Sequence, residues 1–224
     1  MNKDIQQLFK NERGNIALFV IGMLGLMMVL FVFVLNMGAA LVVKEKSATT
    51  AKQASMAATS MLYKEVRQEI YEYEHETLEG SIHAFFEDFD EKISDEKDSL
   101  RNNSNYNDWT DNELELEALD RVLDKALSNS ELRIKLREIL QNIDFDATVI
   151  NMARNTIVEN GGKLEGATLT VKQNRIYVRA ANEVESTSYD GLLRGIKEKL
   201  YQESAGPKVD FLQDIWNPGT IQLN

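Results

Sequence analysis

The sequence predicts an α+β protein: a long N-terminal transmembrane helix that extends into a helix-rich ectodomain, with a small antiparallel β element near the C-terminus. Three observations predict it. Residues 16–43 form an uncharged apolar run, longer than the ~20 residues that a spanning helix needs. Apolar positions then recur at helical spacing as far as Ile157. Beyond Gly161-Gly162 the period falls to two, the mark of half-buried strands.

The apolar run opens at Ile16, contains Gly22, Gly25, Asn36 and Gly38, and closes at Val43. A cleavable signal peptide carries an apolar core of only ~7–15 residues, so a retained membrane helix is expected even though Gly38 and Ala40 would suit a cut. Arg13 on one side and Lys44 and Lys46 on the other nearly balance, so the positive-inside rule gives little orientation. A short cytoplasmic N-terminus, residues 1–15, is the simplest topology.

The helix is expected to continue outside the membrane through 44–78. Ser47, Ala51, Ser55 and Thr59 recur every fourth residue, flanked by Ala48, Ala54, Ala57 and Ala58. Small side chains along one stripe let another helix approach closely, so Ser47, Ala51, Ala54, Ser55 and Ala58 are either a packing stripe for a partner helix or simply part of a good Ala-rich helix. Leu at Ala51 and Ser55 is then expected to disturb assembly and leave the body folded. Leu62, Val66, Ile70 and Tyr73 continue the face. A helix from Asn15 to about Thr77 would be on the order of 90 Å long.

Residues 79–224 are read as an acidic extracytoplasmic domain. Ile82, Phe85, Phe86 and Phe89 give residues 79–98 an apolar helical face, and 101–108, rich in Asn and Ser, is a loop. Thr110 with Glu113 forms a capping box for a helix bearing Leu116, Leu119, Val122, Leu123 and Leu127. Ser128 with Glu131 repeats the signal before Leu132, Leu136 and Leu140. Asp144 or Asp146 caps a further helix bearing Val149, Met152, Thr156 and Ile157, ended by Gly161-Gly162, where glycine supplies a left-handed backbone. Ala167, Leu169 and Val171 alternate with polar residues, as do Ile176, Val178 and Ala180. A two-residue turn at Asn174-Arg175 would pair Val171 with Val178 and Leu169 with Ala180. Leu192, Leu193, Ile196 and Leu200 suggest a last helix stopped by Gly206-Pro207. Phe211 and Trp216 lie in a tail that docks on the body.

The chain has 224 residues, formal net charge -11 and no cysteine. Absence of cysteine excludes disulfides, thiolate catalysis and cysteine-ligated metal. The acidic balance makes nucleic acid and anionic headgroups poor partners. His75, Glu79 and His83 stand four apart on one helical face, but a zinc site needs further convergent ligands and Gly80 interrupts that helix. Asn103, Asn105 and Asn107 before Asp111 fail as a calcium loop, because Asp108 and Leu114 replace the required Gly and Glu. No phosphate-cradling loop or nucleophile setting emerges. The expectation is a chain that is not an enzyme and takes no cofactor, no metal and no small-molecule substrate.

Glu12-Arg13-Gly14-Asn15 directly precedes Ile16. The apolar run exits through Asn36-Met37-Gly38, and Lys44-Glu45-Lys46 leads to Ala51-Lys52-Gln53-Ala54-Ser55-Met56-Ala57-Ala58. In that order, residues 11–62 resemble the TadE/TadG-like proteins of the tight-adherence, Flp-type pilus systems. Their members open with Arg-Gly and an apolar helix, then an Asp-Leu-Gly-like exit and a basic, Ala-rich stretch. Asn36 and Lys52 stand where the family has Asp. Phe19 stands where processed pilin-like members carry Glu, which places the chain nearer the unprocessed TadG-like branch. The resemblance implies a single-pass protein of the cytoplasmic membrane, N-terminus inside and body outside, whose partners are the bilayer and other pilus-assembly or pilin-like membrane helices. The alternative expectation is a membrane-tethered extracellular sensor or binding module unrelated to pili.

Overall fold

The computed structural model describes residues 12–74, 85, 87–141, 143–185 and 197–224. The candidates at His75, Glu79, Gly80 and His83, the apolar positions Ile82, Phe86, Leu192, Leu193 and Ile196, and Thr77 lie outside these residues.

Helix α1, Glu12–Glu74, is one uninterrupted element of 63 residues. No proline falls in it, and Ala, Leu, Met, Lys and Glu carry its propensity. The chain divides into two compact units, residues 1–43 with 183–200 and residues 44–182 with 201–224. In the first, the apolar stretch of α1 is accompanied by residues 183–185 and 197–200, where Lys197 bridges Glu183 (3.6 Å) and Glu185 (3.7 Å).

In the second unit, the remainder of α1 is followed by helices α2 (Phe89–Arg101), α3 (Asp111–Ser128), α4 (Ser130–Leu140) and α5 (Phe145–Glu159). The starts of α3, α4 and α5 each have a local cause. Thr110 and Glu113 form the expected capping box, each side chain meeting the other's backbone N–H. The cap of α4 is Asn129, whose Oδ1 accepts from Glu131 N at 3.0 Å. Ser128, the residue expected there, instead ends α3 and donates to Lys125 O. Asp144 caps α5, accepting from Ala147 N at 3.1 Å, while Asp146 is free to accept from Trp216 Nε1 at 2.8 Å. Helix α5 stops at Glu159, and Gly161 follows at φ 70°.

Strands β1 (Lys163–Lys172), β2 (Arg175–Glu185), β3 (Lys197–Lys208) and β4 (Thr220–Gln222) form one sheet in the order β3-β2-β1-β4. β1 pairs antiparallel with β2 and with β4. The hairpin is present, but its register differs from expectation: Val171 faces Ile176 and Leu169 faces Val178. The turn is Gln173-Asn174, both at positive φ (53° and 55°), the conformation that two-residue hairpin turns require. Asn tolerates it better than Arg175 would. The slip is two residues, an even number, so Leu169, Val171, Ile176 and Val178 remain buried together.

Residues 197–208 correct the expectation of a last helix. They form the edge strand β3, where Pro207 is tolerated because an edge position leaves its missing N–H unused. Leu200 is half-buried in that strand. Tyr201 seals the sheet's outer face: the Arg179 guanidinium lies 4.0 Å from its ring centroid, and its hydroxyl donates to Glu165 O at 2.8 Å. A short helix, α6 (Leu212–Ile215), carries the tail back over the body, with Phe211, Leu212 and Trp216 buried. The core is continuous from Leu62, Val66 and Ile70 of α1 through Leu100, Leu123 and Leu136 to Ile157, Val178 and Phe211.

The capping box generates a direct expectation. Thr110→Ala removes the side-chain acceptor of Glu113 N and should cost about 1 kcal/mol, read as a lower denaturation midpoint of the purified full chain in detergent.

Candidate membrane and assembly interface

From Ile16 to Val42, α1 presents large apolar side chains outward. Leu18, Phe31 and Val42 are 71, 64 and 70 % exposed. Fully burying one such side chain is worth ~1.5–3 kcal/mol, so a row of them requires an apolar medium, and helical hydrogen bonding already satisfies the backbone as that medium demands. Among the described residues this is the one helix long and apolar enough to cross a membrane, and none of its apolar window is buried within the chain. A core helix of a soluble protein would be covered. Gly22, Gly25 and Gly38 are open: a Cβ at any of them would meet nothing within 4 Å. Asn36, half-buried, donates from Nδ2 to Val32 O at 3.1 Å, which keeps part of its polarity within the helix. Val43, also half-buried, closes the stretch.

The small-residue stripe lies beyond it. Ser47, Ala51, Ala54, Ser55 and Ala58 are all fully buried, and what covers them corrects the expectation of a partner helix. The chain's own strands and the end of α5 fill the stripe. Asn182 of β2 donates from its backbone N to Ser47 Oγ at 2.9 Å and accepts at Oδ1 from Thr50 Oγ1 at 3.0 Å. Its Nδ2 donates to Asn160 O at the end of α5, at 3.2 Å. Gly206 of β3 lies so close to α1 that an added Cβ would stand 2.4 Å from Thr59 Oγ1 and 2.9 Å from Ser55 O. At Gly162 a Cβ would stand 3.0 Å from Thr50 Cγ2. Small residues on both sides thus bring strand and helix into near-backbone contact. Leu at Ala51 or Ser55 would therefore strike the body's own core.

Sequence reasoning missed Thr50, Asn182 and Gly206. A faint signal exists for Asn182, an amide ending the small run Ala180-Ala181, since a buried amide needs partners. Gly206 was read with Pro207 as a helix stop.

A second buried polar joint lies further along α1. Asp120 of α3, 5 % exposed, accepts at Oδ1 from Tyr63 OH at 2.9 Å and from Asp210 N at 3.1 Å. Burial pushes its carboxyl up to about 6, against the opposing pull of these two bonds. Burial also raises the Tyr63 phenol, and the Asp120 charge adds to that. The Tyr63 ring meets Phe211 edge-on, centroids 6.1 Å apart.

The acidic helices are stitched by cations at their surface. Arg67 bridges Asp90 and Glu115, both at 2.9 Å, and Lys97 bridges Asp111 (2.8 Å) and Glu115 (3.1 Å). Arg121 and Lys125 share Glu96. Lys97 beside Glu115 holds that carboxyl below its usual range, as Lys125 does for Glu96. Exposed pairs contribute little singly, but these close a network between helices.

An open groove of about 800 Å³ runs beside α1, with Met61, Leu116, Leu119 and Met152 in its lining and Lys64 and Arg67 among its charged members. Among the described residues no three His, Cys, Asp or Glu side chains converge as a metal site. Asn103, part of the failed calcium pattern, instead accepts from Asn105 N and starts a 3₁₀ turn.

Residues 14–60 match the family described as putative Flp pilus-assembly TadE/G-like. No curated protein and no solved structure matches the chain. The matched residues are those of the exposed apolar stretch and the buried stripe, in agreement with the resemblance read from residues 11–62. The match supports a role associated with Flp pilus assembly, and the exposed apolar helix fits membrane association.

The two kinds of glycine should behave oppositely. Gly206→Val overpacks the strand–helix contact and should cost about 1–3 kcal/mol. Gly38→Ala enters open space within a helix and should leave the midpoint unchanged or raised. Chemical denaturation of both full-length variants in detergent micelles checks the contrast.

Proposed function

We propose that this chain is a non-enzymatic, membrane-anchored component of a pilus or secretion assembly, of the unprocessed TadG-like kind. Residues 1–15 lie in the cytoplasm, residues 16–43 span the cytoplasmic membrane, and the acidic body lies outside it, with 44–78 as the stem. The observation that carries this reading is the coincidence of the family match, residues 14–60, with a helix that is bare to its surroundings up to Val42 and buried from Ser47. Partner helices then meet the chain within the bilayer, at the open faces of Gly22, Gly25 and Gly38, because the 47–58 stripe is already occupied. The rival reading, a membrane-tethered binding module, is favoured by the groove beside Met61 and Met152.

The chain has no cysteine, so one introduced thiol reports topology without background. Ile134→Cys, at a side chain 70 % exposed, should react with a membrane-impermeant maleimide in intact cells, and the chain should stay in the membrane fraction after alkaline washing. Deleting the gene should abolish pilus formation. Leu at Gly22 and Gly25 should reduce co-purification of pilus components and leave the unfolding midpoint of the body in place. Labelling only after lysis, or piliation that survives the deletion, would overturn the reading.

A further inference from the structure

The carboxy-terminal segment is fastened to the body at a few defined points. Val209 N donates to Asn174 O at 2.8 Å, Trp216 Nε1 to Asp146 Oδ1 at 2.8 Å, and Asp210 N to Asp120 Oδ1 at 3.1 Å. The last of these is unlike the others. Asp120 is almost fully buried, and the same oxygen also receives the Tyr63 hydroxyl. One carboxyl therefore joins three elements: α1 through Tyr63, α3 through its own helix, and the segment leading to Phe211.

The charges around it do not favour an anion. Tyr63 faces it from α1 with a neutral phenol. Glu117 on its own helix and Asp210 on the carboxy-terminal segment raise its proton affinity. Lys208 is the facing cation, but its ammonium is engaged by Asp210, and it acts on Asp120 and Asp124 through charge alone. An ionised carboxyl in such a place loses its water for two hydrogen bonds and an already committed counter-charge, which is unfavourable relative to the neutral acid.

We propose that Asp120 is an acid-stabilised fastening, in which protonation relieves the cost of burying a charged carboxyl where α1, α3 and the carboxy-terminal segment meet, and that relief outweighs the weakening of the two bonds its Oδ1 accepts. The proton comes from solvent and no covalent bond changes. The direction follows from linkage. The group ordinarily titrates at 3.8 and in the folded chain at about 6, so between these values the folded state holds more proton than the unfolded one. Stability from this group then rises as pH falls from about 6 to about 4, and the ionised state above pH 6 carries the full cost. This runs opposite to Glu96, Asp111, Glu113 and Glu115, which are held low by their partners and whose contributions fade in acid. The fastening goes beyond the pilus reading, and its test on purified protein is independent of it.

The test is denaturant unfolding of the full-length chain in neutral detergent micelles from pH 7.5 to 4.5, for wild type and Asp120→Asn. Asn keeps the acceptor for Tyr63 and Asp210 N and cannot ionise, so the other carboxylates cancel in the comparison. Over that range the folding constant of wild type should rise relative to the variant by about 25-fold, about 2 kcal/mol. Tyr63→Phe removes the bond that favours the anion and should shift the onset of the rise to higher pH. Parallel curves for wild type and Asp120→Asn would overturn the proposal. Should Asp120→Asn fail to fold, the carbon-13 titration of the Asp120 carboxyl in wild type decides: a midpoint near 6 supports it, and one at or below 4 overturns it.

Discussion

The close approach of the sheet to α1 is the constraint on which the second unit depends. Gly206 sits over Ser55 and Thr59, and Asn182 is bonded to Ser47 and Thr50. Larger side chains at these places would push the strands off the helix and open the core that runs from Leu62 to Phe211. A buried amide such as Asn182 is costly unless its bonds are made. Here its backbone N, its Oδ1 and its Nδ2 each have a partner, so the contact fixes position as well as distance. Alanine and serine in this stretch are therefore shape requirements of the fold, beyond being good helix formers.

Much of the architecture was legible because it rests on local chemistry. The apolar run announces its own environment. The Thr110–Glu113 box and the Asp144 cap are complete within four residues, and the alternation in β1 and β2 survived a register slip because the slip was even. What was not legible depends on distant partners. Leu200 belongs to a strand because β2 pairs with it, although its spacing reads as helical. Pro207 marks an edge rather than a stop. β4 has three residues, too few for a pattern of its own, and exists because β1 offers a free edge. The stripe was found by its spacing, but spacing does not say what covers it. The packing signature of a partner helix and that of a tightly packed strand are the same small residues.

The acidic balance also changes meaning in the folded chain. Asp90, Glu96, Asp111 and Glu115 are engaged by Arg67, Lys97, Arg101, Arg121 and Lys125, so part of the charge counted in the sequence joins helices instead of facing solvent. Asp120 is different in kind: its value lies in reach, since one oxygen links Tyr63 and Asp210 from positions 57 and 90 residues away in the chain.

Sequence separation has a consequence for biogenesis. Ser47 meets Asn182 across 135 residues. During synthesis at ~5–20 residues per second, the amino-terminal helix emerges many seconds before the strands that cover its alanine face. Contacts of such long range form late and slowly. Over that interval the nascent helix displays a bare, sticky flank, and a passing helix of another chain would find the landing place that the finished molecule withholds.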